Sequence, residues 1–410
     1  MIEEFLVIVL GILIGTFTGL LPGSHINNLI PFFLSFSFLE PLELCILIIS
    51  VAISQMIISF IPSVFLGAPN EENALSILPA HRLLLEGRGY EAVKLVLIGS
   101  LFSLFFTLLL ISIFSENFKT FYSLTRPYIH LGIIFACVFM LFLERSVKKI
   151  LLSLFILILS GIFGVVSLAS PLVPQQNILF PVLTGLFGTS TILLSANQRS
   201  KIPEQEEEQN IKLGFKEIIL SSFLGSVAGI LAGFLPAIGV SQAAVIVQTL
   251  GRMGETRSFL VTLSGINIAN EVFSLISLYL VGNPRSGASV AIQRILGELT
   301  FFHVLNFMGV VCFVLGIACI LAKFLGRKIP LILSRINYKL LSYGVVIYIS
   351  IMVVVICGIN GLLFLFTSTS IGILTQKLGV KRSYCMGVLL IPSILFFSGL
   401  NPFVYSLLNL

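Results

Sequence analysis

Glu271 is the most costly side chain in this sequence, because it interrupts the apolar run 259–281 beside Asn270 and one helical turn after Asn267. On a helix Asn267 and Glu271 stand at i and i+4, which sets an amide and a carboxylate on one face. A carboxylate among apolar neighbours either takes up a proton or holds a cation. Asn267, Asn270 and Glu271 are therefore candidates for an H+ or Na+ coupling site. The alternative is a carboxylate held by donors from a neighbouring helix.

Other polar groups collect at Gly/Pro interruptions of apolar runs. The stretch Pro22-Gly23-Ser24-His25-Ile26-Asn27-Asn28 supplies a hydroxyl, an imidazole and two amides, and Pro236 to Gln242 supplies Gly239, Ser241 and Gln242 in a similar setting. A second pair of interruptions contains Gly67-Ala68-Pro69-Asn70-Glu71 and Gly282-Asn283-Pro284-Arg285-Ser286. Proline removes a backbone donor and glycine tolerates unusual backbone angles, so helix ends are freed at such points. A freed helix N-terminus presents N–H groups and partial positive charge, which suits an anion. Arg285 adds a guanidinium able to grip a carboxylate or phosphate through two bonds. These residues form the candidate substrate site. The bland readings are close helix packing for the glycines, an interfacial loop cation for Arg285 and a packing role for His25.

The elements that must position them are membrane helices. Hydrophobic residues make up 57% of the chain and charged residues 10%, with a mean hydropathy of +1.09, far from a soluble domain's balance. Apolar runs at 5–21, 42–66, 95–114, 150–168, 259–281, 304–321 and 340–357 are long enough to cross about 30 Å of hydrocarbon. They do not alternate as β-barrel strands do. The acidic start gives no sign of a cleavable leader. The six cysteines are scattered without metal-ligand spacing, so no metal or cofactor is expected beyond the coupling ion.

The sequence also repeats. Gly11, Gly15, Gly19 and Pro22 recur as Gly225, Gly229, Gly233 and Pro236, each 214 residues on (225 − 11). Residues 53–69 align without gaps on 268–284, one residue further out (268 − 53 = 215). The chain therefore reads as two membrane repeats, 1–195 and 217–410, joined by the hydrophilic stretch 196–216. Basic clusters lie between spans, which argues against nucleic acid and, by the positive-inside rule, sets the N-terminus outside and the linker inside. That orientation needs the segments after Pro22 and Pro236 to cross, giving about fourteen crossings, seven per repeat. Seven is odd, so the second repeat is inverted, an architecture common among secondary transporters. The acidic linker reads as a solvated connector, with a docking site for a partner as the alternative.

The repeated Gly-x3-Gly-x3-Gly-x2-Pro, together with Gly67-Ala-Pro-Asn-Glu-Glu-Asn-Ala74 and Gly282-Asn-Pro-Arg-Ser-Gly-Ala288, resembles the TctA family, the large permease subunit of tripartite tricarboxylate transporters. The resemblance covers roughly residues 5–100 and 218–300. It implies a cell-membrane permease for carboxylated small molecules, driven by an ion gradient, with a small membrane subunit and an extracytoplasmic binding protein as partners. The chain departs from the family's pattern at Ser24-His25 and at Arg285, which stand where the family has glycine. No nucleotide-binding loop, zinc-protease or serine-hydrolase motif is present, so an enzyme is not expected. The expectation is an all-α polytopic secondary transporter for a small organic anion. A flippase for a lipid-linked phosphate is the alternative, followed by an intramembrane enzyme or a scaffold. Cysteines placed near Gly67 and Gly282 are expected to react with an impermeant maleimide from opposite faces of the membrane; reaction from one face would contradict the inversion.

Overall fold

A computed structural model describes residues 2–21, 26–33, 39–66, 77–114, 120, 124, 126–142, 144, 146–175, 177–198, 205–206, 210–234, 240, 243–244, 246–247, 256–282, 286–333 and 338–408. Among them every regular element is helical. Seven helices are long and apolar enough to span a bilayer, because only backbones that satisfy their own hydrogen bonds are tolerated in hydrocarbon. The protein is an all-α polytopic membrane protein. Shorter apolar helices at His130–Phe142, Leu179–Leu194, Ser342–Cys357 and Arg382–Ser398 accompany them.

Helix α1 (Ile2–Leu20) ends two residues before Pro22, and α11 is described over Phe215–Phe234. Their glycines serve close packing. Along α3 (Pro41–Ile58), Gly11 abuts Leu47 and Ser50, Gly15 abuts Val51, Ser54 and Gln55, and Gly19 abuts Gln55 and Ile58. Along α12 (Thr256–Val281), Gly225 abuts Thr262 and Gly265, Gly229 abuts Ile266, Ala269 and Asn270, and Gly233 abuts Asn270 and Phe273. The matching contacts, Gly15 and Gly19 on Gln55 and Gly229 and Gly233 on Asn270, preserve the sequence repeat in three dimensions. Because both partners advance together, α1 runs parallel to α3 and α11 to α12. The chain must therefore return from the end of α1 to the level where α3 begins, and α2 (Ile26–Phe33) lies on that return.

The repeat mates run in opposite directions. Phe65, in α4 (Phe60–Leu66) at the end of the α3 span, packs on Gly89 at the start of α6 (Gly89–Phe114). Arg257, at the start of α12, is bonded to Glu91 in the first turn of α6. So α3 finishes at the end of the bundle where α12 begins. The same holds for α8 (Val147–Ala169) and α16 (Gly361–Lys377). Asn360, before α16, donates to the Leu172 carbonyl after α8 at 3.4 Å. Beyond the end of α16, Lys381 pairs with Glu144, ahead of α8, at 2.8 Å. Burial pushes the Glu144 carboxyl upward, but the Lys381 ammonium and the Tyr384 hydroxyl together hold it below the usual carboxylate range.

Two large cores result, and each draws on both repeats. The first unites α1–α6, including α5 (Ile77–Leu85), with α11, α12, α13 (Gly287–Leu296) and α14 (Phe301–Leu333). The second unites α7 (Ile129–Phe142), α8, α9 (Leu179–Leu183) and α10 (Ser190–Gln198) with α15 (Tyr338–Cys357), α16 and α17 (Gly387–Ser398). Partners are exchanged across the repeats: α6 packs on α12 while α14 packs on α3, and α8 packs on α17.

A methyl group added at Gly229 would stand 2.5 Å from the Ile266 carbonyl oxygen and 3.0 Å from the Asn270 nitrogen. Backbone cannot yield as a side-chain tip can, so Gly229→Ala is expected to cost about 1–3 kcal/mol through overpacking. Gly316→Ala, inside α14 where nothing lies within 4 Å, should not destabilise and should gain up to about 1 kcal/mol from helix propensity. Melting followed by size-exclusion chromatography in detergent distinguishes the two.

Candidate functional site

Helix α12 continues unbroken through Asn267, Asn270 and Glu271. Asn267 is 1% exposed and Glu271 9%. The helix stops at Gly282, whose φ of +69° is one that side-chain-bearing residues rarely adopt. Ser286 then caps α13 in a reciprocal box: its Oγ accepts from the Ser289 N–H at 3.2 Å, and the Ser289 Oγ accepts from the Ser286 N–H at 2.9 Å. The same Ser286 hydroxyl donates to Glu271 Oε1 at 3.0 Å. The carboxylate is thereby held at the N-terminal, electropositive end of α13. Helix α13 in turn packs on α2 and α3.

The structure thus joins one residue expected for ion coupling, Glu271, with one expected for substrate binding, Ser286. Asn267 lies one turn away on the same helix. Asn270 lies with its backbone against Gly229 and Gly233. Met56, the repeat mate of Glu271, is also buried, so the carboxylate has no counterpart in the first repeat. The expected residues Pro22, Gly23, Ser24, His25, Asn70, Glu71, Pro236, Gly239, Ser241, Gln242 and Arg285 lie outside the described residues. Asn27 and Asn28 belong to α2, with side chains outside that description.

The Tripartite tricarboxylate transporter TctA family matches residues 5–387. The chain belongs to the TctA family. An uncharacterized protein of Methanocaldococcus jannaschii is 34% identical over 409 residues, covering 96% of this chain and 99% of its own length. No solved structure matches. Membership makes this a transport protein, with the permease component of a tricarboxylate transporter as the family role, and it fits the absence of enzyme motifs.

One centre of this TctA-family chain escaped the sequence reading. Glu91, fully buried, takes Arg88 Nε at 2.5 Å and Arg257 Nε at 2.9 Å. The Lys212 N–H adds a bond of 2.7 Å. Arg88 extends outward to Glu206 and to the Asn210 carbonyl, each at 2.6 Å. Gln205 bridges the Leu84 carbonyl at 3.1 Å and the Gly89 N–H at 2.9 Å. The expectation of a solvated linker is thus corrected for its described part: 205–206 and 210–213 dock on the turn between α5 and α6. The physical reason is Glu91, whose burial demands donors from several segments. Arg88 and Arg257 read as loop cations in the sequence, and only Glu91 at the mouth of an apolar run hinted otherwise.

Glu91→Gln leaves two arginines facing each other without their shared anion, and a loss of about 3–5 kcal/mol is expected. Glu206→Gln, at a side chain 48% exposed, should cost under about 1 kcal/mol. Thermal unfolding of the purified variants checks both.

Proposed function

We propose that this TctA-family protein is a secondary active transporter of a small organic anion, a carboxylate, coupled to H+ or Na+ through alternating access. The observation that supports it most directly is Glu271, buried on α12 and bonded to the cap of α13. An ionised carboxylate draws on the Ser286 hydroxyl and on the positive end of α13. A proton or sodium ion neutralises that charge and changes the bond to Ser286. Because Ser286 caps α13, and α13 packs on α2, the change reaches the segment that follows Pro22. The second half of that segment, Asn27 and Asn28, lies in α2. Substrate binds at the paired breaks of the sequence, to which Pro22–Asn28, Asn70, Glu71, Pro236–Gln242 and Arg285 contribute amides, hydroxyls, an imidazole, a carboxylate and a guanidinium. The protein works in the cell membrane with its N-terminus outside and its linker inside. By family likeness it is served by a small membrane subunit and an extracytoplasmic binding protein.

In proteoliposomes loaded against a panel of di- and tricarboxylates, an imposed H+ or Na+ gradient is expected to accelerate uptake at least tenfold. Glu271→Gln should abolish that acceleration while leaving substrate exchange between equal pools intact. Unaltered gradient coupling in Glu271→Gln would remove the carboxylate from the mechanism, and no uptake of any carboxylate would end the proposal.

A further inference from the structure

A second ionisable group lies in the other core. Arg382 opens the short 3-10 turn Arg382–Met386 that leads into α17. In the sequence it looks like one more loop cation beside Lys377 and Lys381, yet it is only 5% exposed. One end of its guanidinium is anchored: Nη1 donates to the Phe187 carbonyl at 3.0 Å and to the Thr191 hydroxyl. Thr191 itself donates back to Phe187. Phe187 lies in a π-helical segment, Thr184–Thr189, inserted between α9 and α10. Such insertions wind the backbone out of the usual ladder and recur at functional sites.

The opposite edge of the guanidinium is unused. Nε and Nη2 are buried and have no hydrogen-bond partner among the described residues. Those two N–H groups point the same way and form the side-on fork with which arginine grips two oxygens of one carboxylate or phosphate. Glu144, bonded to Lys381 at 2.8 Å and to the Tyr384 hydroxyl at 3.1 Å, is committed to these sequence neighbours of Arg382. An arginine stays charged, and a buried charge without a counter-charge is strongly unfavourable. The fold nonetheless fixes this side chain by one end and leaves its forked edge free.

We propose that Arg382 is the anchor of a buried oxyanion site in the second core, set apart from Glu271, which belongs to the first. Its ligand is a group with two acceptor oxygens side by side: the carboxylate of a small organic acid, or the phosphate of a lipid headgroup. Thr191 and the Phe187 carbonyl act as positioning groups, holding the fork in place rather than touching the anion. The carboxylate form of the ligand rests on the transport reading above, whereas the existence of the site does not.

The test uses the full-length protein in phosphatidylcholine nanodiscs and measures binding of radiolabelled citrate and succinate, and of inorganic phosphate, by equilibrium dialysis. A parallel arm records melting in discs with and without phosphatidylglycerol. Wild-type protein should bind one soluble anion saturably, or be stabilised by phosphatidylglycerol alone, and this contrast assigns the source. Arg382→Met should weaken that binding, or abolish that stabilisation, at least tenfold. Arg382→Lys, which keeps the charge but loses the fork, should fall between. If Arg382→Met does not fold, Thr191→Val keeps the charge, removes one of its two anchors and should weaken binding severalfold. Ion coupling is read from gradient-driven uptake in Glu271→Gln and anion binding from the Arg382 variants, so the two readings fail separately. Equal binding and melting in wild type, Arg382→Met and Thr191→Val, or no response of wild type in any arm, would overturn the site.

Discussion

The close approach of helix backbones along two glycine stripes is the constraint from which the rest of the structure follows. Lipid chains are as apolar as leucine, so helices in a bilayer gain little from merely hiding apolar surface and must instead pack closely. Gly11, Gly15 and Gly19 let α1 lie on α3, and Gly225, Gly229 and Gly233 let α11 lie on α12. Covered in this way and by α6 and α14, α3 and α12 become interior posts, buried along nearly the whole of their central apolar stretches. Only an interior post can keep Gln55, Asn267 and Glu271 away from lipid.

Shelter then determines how each polar group is satisfied. Serines on the posts bond back along their own helix, as Ser50 does to Ile46 at 2.7 Å and Ser54 to Ser50 at 2.6 Å. Glu271 is too long and too charged for that remedy and is met by the cap of α13. Glu91 is satisfied by two arginines and a linker amide. Arg382 alone is met at one end only. Each of these groups lies where separate segments converge, so each couples elements that are far apart in the chain.

The exchange of partners between repeats bears on how the protein moves. Each large core is assembled from both halves, so the first half cannot shift as a body against the second without breaking α6 from α12 and α14 from α3. The units that packing defines are the two cores. The glycine-packed first core contains Glu271, and the second contains the π-helical segment with Arg382. Glu91 ties the start of α6 to the start of α12 through Arg257, and to the docked linker through the Lys212 N–H, at one end of the first core.

Much of this was legible in the amino-acid order. The spans were, because about 30 Å of hydrocarbon demands long apolar runs whatever the neighbours are, and the run 259–281 became α12 at Thr256–Val281. The repeat was legible because glycine is irreplaceable where backbones touch, and the stop of α1 ahead of Pro22 because proline removes a donor. Tertiary structure decided what composition and spacing do not encode: which remote segments meet. Glu271 on α12 and Ser286 at the cap of α13 are joined by a hydrogen bond across 15 residues of chain. Glu91, Arg88, Arg257 and Glu206 are brought together from three regions of the chain, and Arg382 resembles any loop cation until α10 closes over it. Local sequence sets hydrophobic length and helix ends, but the environment of a charge depends on every segment folded around it.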